Sequence, residues 1–367
     1  GVVGSAKRME ATLKLQKSYA KLFQDVTVPT DFYIRADGLS GTGTLTVTLK
    51  DAQERRLAAG TGQISIVPDT ETVSTVTLLP ADFQVNALPQ SEQFFSTSVR
   101  GRQLASDGAG NFAVIWEDSC PQAGRCDVWL RLYDADAQPR LNALGGTTQE
   151  HQASAANDTY DHPAVAMKAD GHMVAAWKRI SAAGVFVRAF EKNGRPDSVA
   201  SSGQEIKVSS GSGDTPDIAV LADNSHVVVW SETASGSDRI MARYLGPNGR
   251  PTKAHNGKNE PLQVTSFSAS TSKRPLPAVA GNTNSANPGY MVVWVQNGVL
   301  WGRAHRARGQ PVGAAFRVSG AGTVASANIE AMNRPDRYAV VWSATGECGP
   351  DKTGSCIRFR VYDAAGA

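Results

Sequence analysis

The run PDIAVLADNSHVVVWSETASGSDRIMARYLGPNGRP, from Pro216 to Pro251, holds one copy of the pattern that decides the fold. An apolar segment carries Ala219, a second ends at Trp230, a third carries Arg243, and Gly249 and Pro251 mark a turn. Four more tryptophans, Trp116, Trp177, Trp294 and Trp342, end similar runs. Ala105, Ala166 and Ala331 stand eleven residues before their tryptophans, as Ala219 does, while Ala280 stands fourteen before Trp294. The arginines recur as Arg131, Arg188, Arg303 and Arg360, each followed six residues later by Ala137, Gly194, Gly309 or Gly366. Pro139, Pro196 and Pro311 match Pro251. A fixed period built from short apolar runs outranks any isolated motif.

Each copy reads as four strands, A with the alanine, B ending at the tryptophan, C with the arginine, and D in segments such as EIKVS at 205–209. They are rich in valine and aromatics and divided by Gly, Asn, Asp, Ser or Pro, which is strand and turn chemistry. Asn193-Gly194 and Asn248-Gly249 fall where C turns into D, with positive φ expected at both positions. Four antiparallel strands repeated radially describe a propeller blade. The expected fold is therefore all-β: a five-bladed β-propeller over residues 81–367, preceded by a small β-sandwich over residues 1–80. Alanines in strand A predict a tight central channel. Trp129 and Tyr133 flank Arg131 on one strand face, as Phe186 and Phe190 flank Arg188. This predicts packing, cation–π contact and carbonyl bonding between blades for the arginines.

The fifth copy stops after strand C. DFQVN at 82–86 resembles the other D strands, AFRVS at 315–319 in particular, and is expected to close the ring from the N-terminal side. Before it, strands are expected near 31–35, 44–49, 62–67 and 73–79, and residues 6–25 read as a strand followed by a loop.

The chain has 367 residues and a net charge of +3 without a basic, aromatic-laced stripe, which argues against nucleic acid as a partner. No apolar run reaches the roughly 18 residues of a membrane span. No charged-then-apolar leader stands at Gly1, which is read as a chain beginning after processing. Cys120 with Cys126, and Cys348 with Cys356, bracket B-to-C loops and predict two local disulfides, hence an oxidising place: secreted, periplasmic or at the outer cell surface.

The Val-x-Trp run followed by an arginine strand and Asp-x-x-Gly-x-Pro, as at 177–196 and 230–251, resembles propeller repeats of secreted and surface-anchored bacterial proteins. The strand, Pro-Asp-Thr-Glu, strand pattern at 62–79 resembles immunoglobulin-like domains of bacterial surface lipoproteins. The first resemblance implies a fold rather than an activity.

The leading expectation is a non-enzymatic module that recognises a protein or glycan at the cell surface, or another subunit through the N-terminal domain. Recognition is placed on the B-to-C and D-to-A loops, which vary on one face of a rigid ring. The candidate binding residues there are Tyr160, Asp161, His162, Arg179, Asp214 and Arg274. The alternative is a glycoside hydrolase or lectin on a five-bladed propeller. Hydrolysis needs two carboxyl groups roughly 5 to 9.5 Å apart. The acids near A strands are Asp107 and Asp217, read as turn or cap residues, and Glu330, read as a paired strand residue. A lectin with one site per blade would repeat a polar and aromatic cluster, and none recurs. The six histidines share no register, so no metal centre is expected. No cofactor is implied, although Asp- and Asn-bearing loops such as 157–161 admit a calcium ion.

Overall fold

The computed structural model describes residues 8–15, 18–24, 34, 40–51, 56–67, 70, 72–74, 76, 78–80, 85, 93–94, 101–118, 126–135, 139–140, 150–155, 158–198, 203–268, 275–332, 337–348, 354–363 and 365–366. Contacts divide the chain into two compact units, one of residues 1–85 with 134–138 and one of 86–133 with 139–367.

The first unit is one antiparallel sheet of β1 (Arg8–Lys14), β2 (Ser18–Gln24), β3 (Gly41–Lys50), β4 (Arg56–Ile66) and β5 (Leu79–Pro80), ordered β2-β1-β3-β4-β5. Strict alternation buries Met9, Ala11 and Leu13 on β1 and Leu45, Val47 and Leu49 on β3 along the same face. Among the described residues the unit shows one sheet, and part of the segments from which a second layer of the expected immunoglobulin-like sandwich would come lies outside them. The apolar face of the sheet is met by half-buried Ile34, Val76 and Leu78 from connecting segments. Of residues 6–25, expected as a strand followed by a loop, 8–14 and 18–24 instead pair as two antiparallel strands, with Leu13 opposite Tyr19 and Met9 opposite Phe23.

The second unit is a β-propeller of successive antiparallel sheets. The first contains β6 (Gln93–Phe94), β7 (Leu104–Ser106), β8 (Phe112–Asp118), β9 (Val128–Tyr133) and β10 (Glu150–Gln152). The second contains β11 (Tyr160–Met167), β12 (Met173–Arg179), β13 (Gly184–Phe190) and β14 (Ile206–Lys207). The third contains β15 (Asp214–Val220), β16 (His226–Ala234), β17 (Ser237–Leu245) and β18 (Leu262–Ser268). The fourth contains β19 (Pro277–Gly281), β20 (Gly289–Gln296), β21 (Val299–Arg306) and β22 (Phe316–Arg317). The fifth contains β23 (Thr323–Ala331), β24 (Arg337–Cys348) and β25 (Gly354–Asp363).

The repeat residues explain how the sheets stack. Trp177, Trp230 and Trp294 are fully buried, and each shares a core with apolar residues of the preceding sheet, as Trp230 does with Val185 and Val187. Arginines stitch neighbouring sheets through backbone carbonyls: Arg188 Nη1 donates to Ala153 O at 2.7 Å, Arg303 Nη1 to Val264 O at 2.7 Å, and Arg360 Nη1 to Val318 O at 3.3 Å. Arg131 lies over Tyr133 and Arg188 over Phe190. In the C-to-D turns the left-handed conformation falls on Gly194 and Gly249 and not on the preceding asparagines, which correct the expected turn by accepting the amides of Arg195 and Arg250.

Two sequence assignments change at the axis. Ala105, Ala166, Ala219 and Ala280 pair with the residue three before their tryptophans, but in the last sheet that partner, Ala339, pairs with Glu330 rather than Ala331. Sheets two and three carry a bulge just before Ala164 and Asp217, and the fifth carries one between Val324 and Ser326, so a bulge does not account for the one-residue difference. Asp217, read as a turn or cap residue, is instead a fully buried tie: it accepts the amides of Arg102 at 3.0 Å and Val279 at 2.8 Å. Arg102 spans the axis, accepting Val165 N at its carbonyl, donating from its guanidinium to Val279 O and Ile329 O, and pairing with Glu330. Asp107 is a turn residue as expected, accepting the amides of Ala109 and Asn111.

The closing strand expected at 82–86 lies outside the described residues except for Val85. Cys348 and Cys356 form a disulfide with Cα atoms 5.7 Å apart, and Cys126 is also disulfide-bonded, while Cys120 lies outside the described residues. Among the described residues no helix is long and apolar enough to cross a membrane.

Candidate functional site

A strands begin, and B strands end, on the face where the D-to-A and B-to-C loops gather. Two of the A strands begin with the same local device, Asp161-His162-Pro163 in β11 and Asp214-Thr215-Pro216 in β15. The middle residue of each is left-handed, His162 at φ 55° and Thr215 at φ 52°, and each lies within a bulge. Such a conformation is costly outside glycine, most of all for a β-branched residue, and persists only where surrounding contacts impose it. Here the aspartate or its neighbours do so: Thr215 N donates to Asp214 Oδ1 at 2.9 Å, and His162 N donates to Glu117 Oε2 at 2.9 Å.

The residue after each tryptophan comes up beside these bulges. Lys178, after Trp177, donates to Asp214 Oδ2 of the next sheet at 3.0 Å, an ordinary ion pair across a blade junction. Glu117, after Trp116, holds the equivalent place one junction earlier, so there an acid meets Asp161. Burial, with a hydrogen bond to Asp161 and the charge of that residue next, pushes the Glu117 carboxyl from 4.5 up to about 8. The charge of Asp118 adds a smaller push, and the His162 amide opposes it. One junction therefore carries the structural solution, lysine on aspartate, and the other presses the Glu117 carboxyl against that of Asp161.

His162 connects the two junctions. Its Nδ1 lies 2.9 Å from Asp214 Oδ1 and its Nε2 lies 3.2 Å from Asp161 Oδ1. Burial works to raise Asp214, but hydrogen bonds from His162 and Lys178 and the Lys178 charge outweigh it and hold the carboxyl well below the usual range. Asp161 stays about a quarter exposed at 27%, so the acid pair opens to solvent while His162 and Asp214 are buried behind it.

Of the residues expected from sequence, Asp161, His162 and Asp214 come together. Tyr160 and Arg179 do not join them and make a separate packing network. Tyr160 is buried edge-on against Trp177 and donates to Ala155 O at 2.6 Å. Arg179 pairs with Asp158 and, at 3.6 Å, with Glu205, and lies over the Phe186 ring. Arg274 lies outside the described residues. The Asp158 carboxylate is taken up by Arg179, Ser181 and Thr159 N, which leaves it committed within the loop considered for calcium. Among the described residues no group of three His, Cys, Asp or Glu is placed to hold a metal ion. Glu117 and Lys178 were not singled out by sequence, although both directly follow a repeat tryptophan. Asp217 and Glu330 belong to the axis; Glu330 and Arg102 line a cavity of about 350 Å³ at the opposite ends of the A strands, with Ala105, Ala166 and Ala219.

No protein-family model matches the chain, and no curated protein sequence does. Solved structures do. An ulvan lyase of polysaccharide lyase family PL25 is 8% identical over 74% of this chain and 72% of its own, with a TM-score of 0.40. An N-acetylgalactosamine deacetylase from F. plautii, in complex with blood group B trisaccharide, is 10% identical over 75% and 93%, with a TM-score of 0.37. An exo-β-1,3-galactanase from Phanerochaete chrysosporium is 12% identical over 74% and 64%, with a TM-score of 0.37. At these identities the likeness is one of fold alone. The proteins found are enzymes, and the expectation of a non-enzymatic module finds no support among them.

Proposed function

We propose that this chain is a carbohydrate-active enzyme that uses Glu117 as a general acid on the loop face of the propeller. The observation that carries the reading is the Glu117–Asp161 pair, a carboxylic acid kept protonated near neutrality by burial and by a second acid. A donor that stays protonated at working pH is what cleavage at a glycosidic oxygen requires. Glu117 and Asp161 are hydrogen-bonded to each other, too close to hold a sugar and water between them as the two opposed carboxyls of a glycosidase do. They act as one acid–base unit on one side of the substrate. The disulfides support an oxidising compartment, and the resemblance of the repeats to those of secreted and surface-anchored bacterial proteins supports the cell exterior. The partner on this reading is a glycan.

The test is turnover of a panel of neutral and acidic polysaccharides, read as new reducing ends and as unsaturated uronate absorbance. Glu117→Gln is expected to lower turnover by about 10²- to 10⁴-fold, the contribution of a positioned acid. Undiminished turnover in that variant, or glycan binding without any turnover by the wild type, would sink the reading, the latter in favour of a lectin.

A further inference from the structure

We infer that Asp214 is a positioning residue that, through His162, orients the acid pair of the preceding blade junction. This rests on the reading of Glu117 and Asp161 given above. The geometry is a continuous line across three sheets: Asp214 Oδ1 to His162 Nδ1 at 2.9 Å, His162 Nε2 to Asp161 Oδ1 at 3.2 Å, and Asp161 to Glu117. An ionised Asp214 can only accept, so the proton of that first bond sits on Nδ1, which fixes the tautomer and the ring plane. Nε2 is then held against Asp161 with one proton between them. The amide of His162 donates to Glu117 Oε2, so the same residue grips both acids.

The charged groups facing this line are few. Lys178 faces Asp214 from β12, Asp118 flanks Glu117 on β8, and Asp161 and Asp214 face His162 from β11 and β15. Lys178 gives Asp214 a counter-charge of its own, so the aspartate remains an anion. In blade three the equivalent left-handed residue is Thr215, whose hydroxyl is spent 2.8 Å from Ser231 Oγ, so of these two junctions only the one that carries the acid pair has a titratable ring at this place.

The experiment is nitrogen NMR of the full chain labelled in its histidine rings, with Asp214→Asn as the variant and His162→Gln to identify the signal. In the wild type the His162 Nδ1 is expected to carry a proton at pH 7. In Asp214→Asn, Lys178 claims the single amide oxygen and turns the NH2 toward Nδ1, so Nδ1 is expected to lose its proton and the ring to keep only the one at Nε2. A wild-type ring with Nδ1 bare overturns the inference, and so does a folded variant in which Nδ1 stays protonated. If the variant does not fold, the wild-type spectrum alone decides. Carbon NMR of the Glu117 carboxyl is read in the same samples. An ionised Glu117 at pH 7 removes the general-acid reading whatever His162 does, whereas a protonated Glu117 beside a bare Nδ1 removes only the role of Asp214. On an identified substrate, Asp214→Asn should lower kcat by roughly tenfold or more with KM little changed, because a positioning group acts in the transition state and not in binding.

Discussion

Replacing Glu117 by Gln should stabilise the protein while removing its acid. The amide copies the protonated acid, with Nε2 donating toward Asp161 as the carboxyl proton does and Oε1 still accepting His162 N. What changes is linkage. In the unfolded chain Glu117 ionises at about 4.5, whereas in the fold it holds its proton to about 8, so folding above pH 4.5 must either take up a proton or bury a charge. At about 1.4 kcal/mol per pH interval the undiscounted penalty approaches 5 kcal/mol once the pH passes 8. Glu117 is only partly buried, and solvent screening brings this down to about 2 kcal/mol. Because the folded value is raised, the wild type keeps its full stability below pH 4.5 and loses it progressively up to pH 8. Glu117→Gln should therefore match the wild type near pH 4 and exceed it increasingly to pH 8, where its Tm should be higher by roughly 4 to 8 °C at about 2 to 4 °C per kcal/mol. Calorimetry at a series of pH values measures this. A variant that is less stable at pH 8, or a difference that does not grow between pH 4.5 and 8, would refute a raised Glu117 and with it the acid role.

Glu117→Lys goes further, since it repeats at the first junction the Lys178–Asp214 pair of the second; it should raise Tm at pH 7 and abolish turnover, and a lower Tm would show the two junctions are not equivalent. Asp217→Ala leaves the Arg102 and Val279 amides without acceptors at the axis, at about 1 to 3 kcal/mol each, so denaturant titration should show a loss of about 2 to 6 kcal/mol. His226 and His305, which burial holds down to about 4 and about 3, must fold neutral, so both favour the fold fully above pH 6.5 and withdraw that support as the pH falls toward 4. His226→Phe should accordingly flatten the acid limb of the stability curve, by up to about 3 kcal/mol at pH 4, and an unchanged limb would show that His226 does not control it.

The sequence by itself determined the ring. Trp116 to Trp342 and Arg131 to Arg360 recur because every blade must bury the same face against its neighbour and tie the same edge to it, and repeated physical needs leave repeated residues. It also pointed to the loop face, since loops that vary on a rigid frame can be read without coordinates, and Asp161, His162 and Asp214, expected there, come together. The site itself was not legible. Glu117 is distinguished only by which residue it faces, and that residue, Asp161, lies forty-four positions away in a different blade. In the chain, Glu117 and Lys178 are simply the residues after a tryptophan; a bulge and a blade-to-blade contact make one an acid pressed against an acid and the other an ion pair. Asp217 was misplaced for the same reason, because the two amides it accepts, those of Arg102 and Val279, lie 115 and 62 residues away in the chain. Local periodicity sets which residues make strands and cores, but a proton's affinity depends on distances of a few ångströms between segments remote in sequence, and only the folded chain decides those.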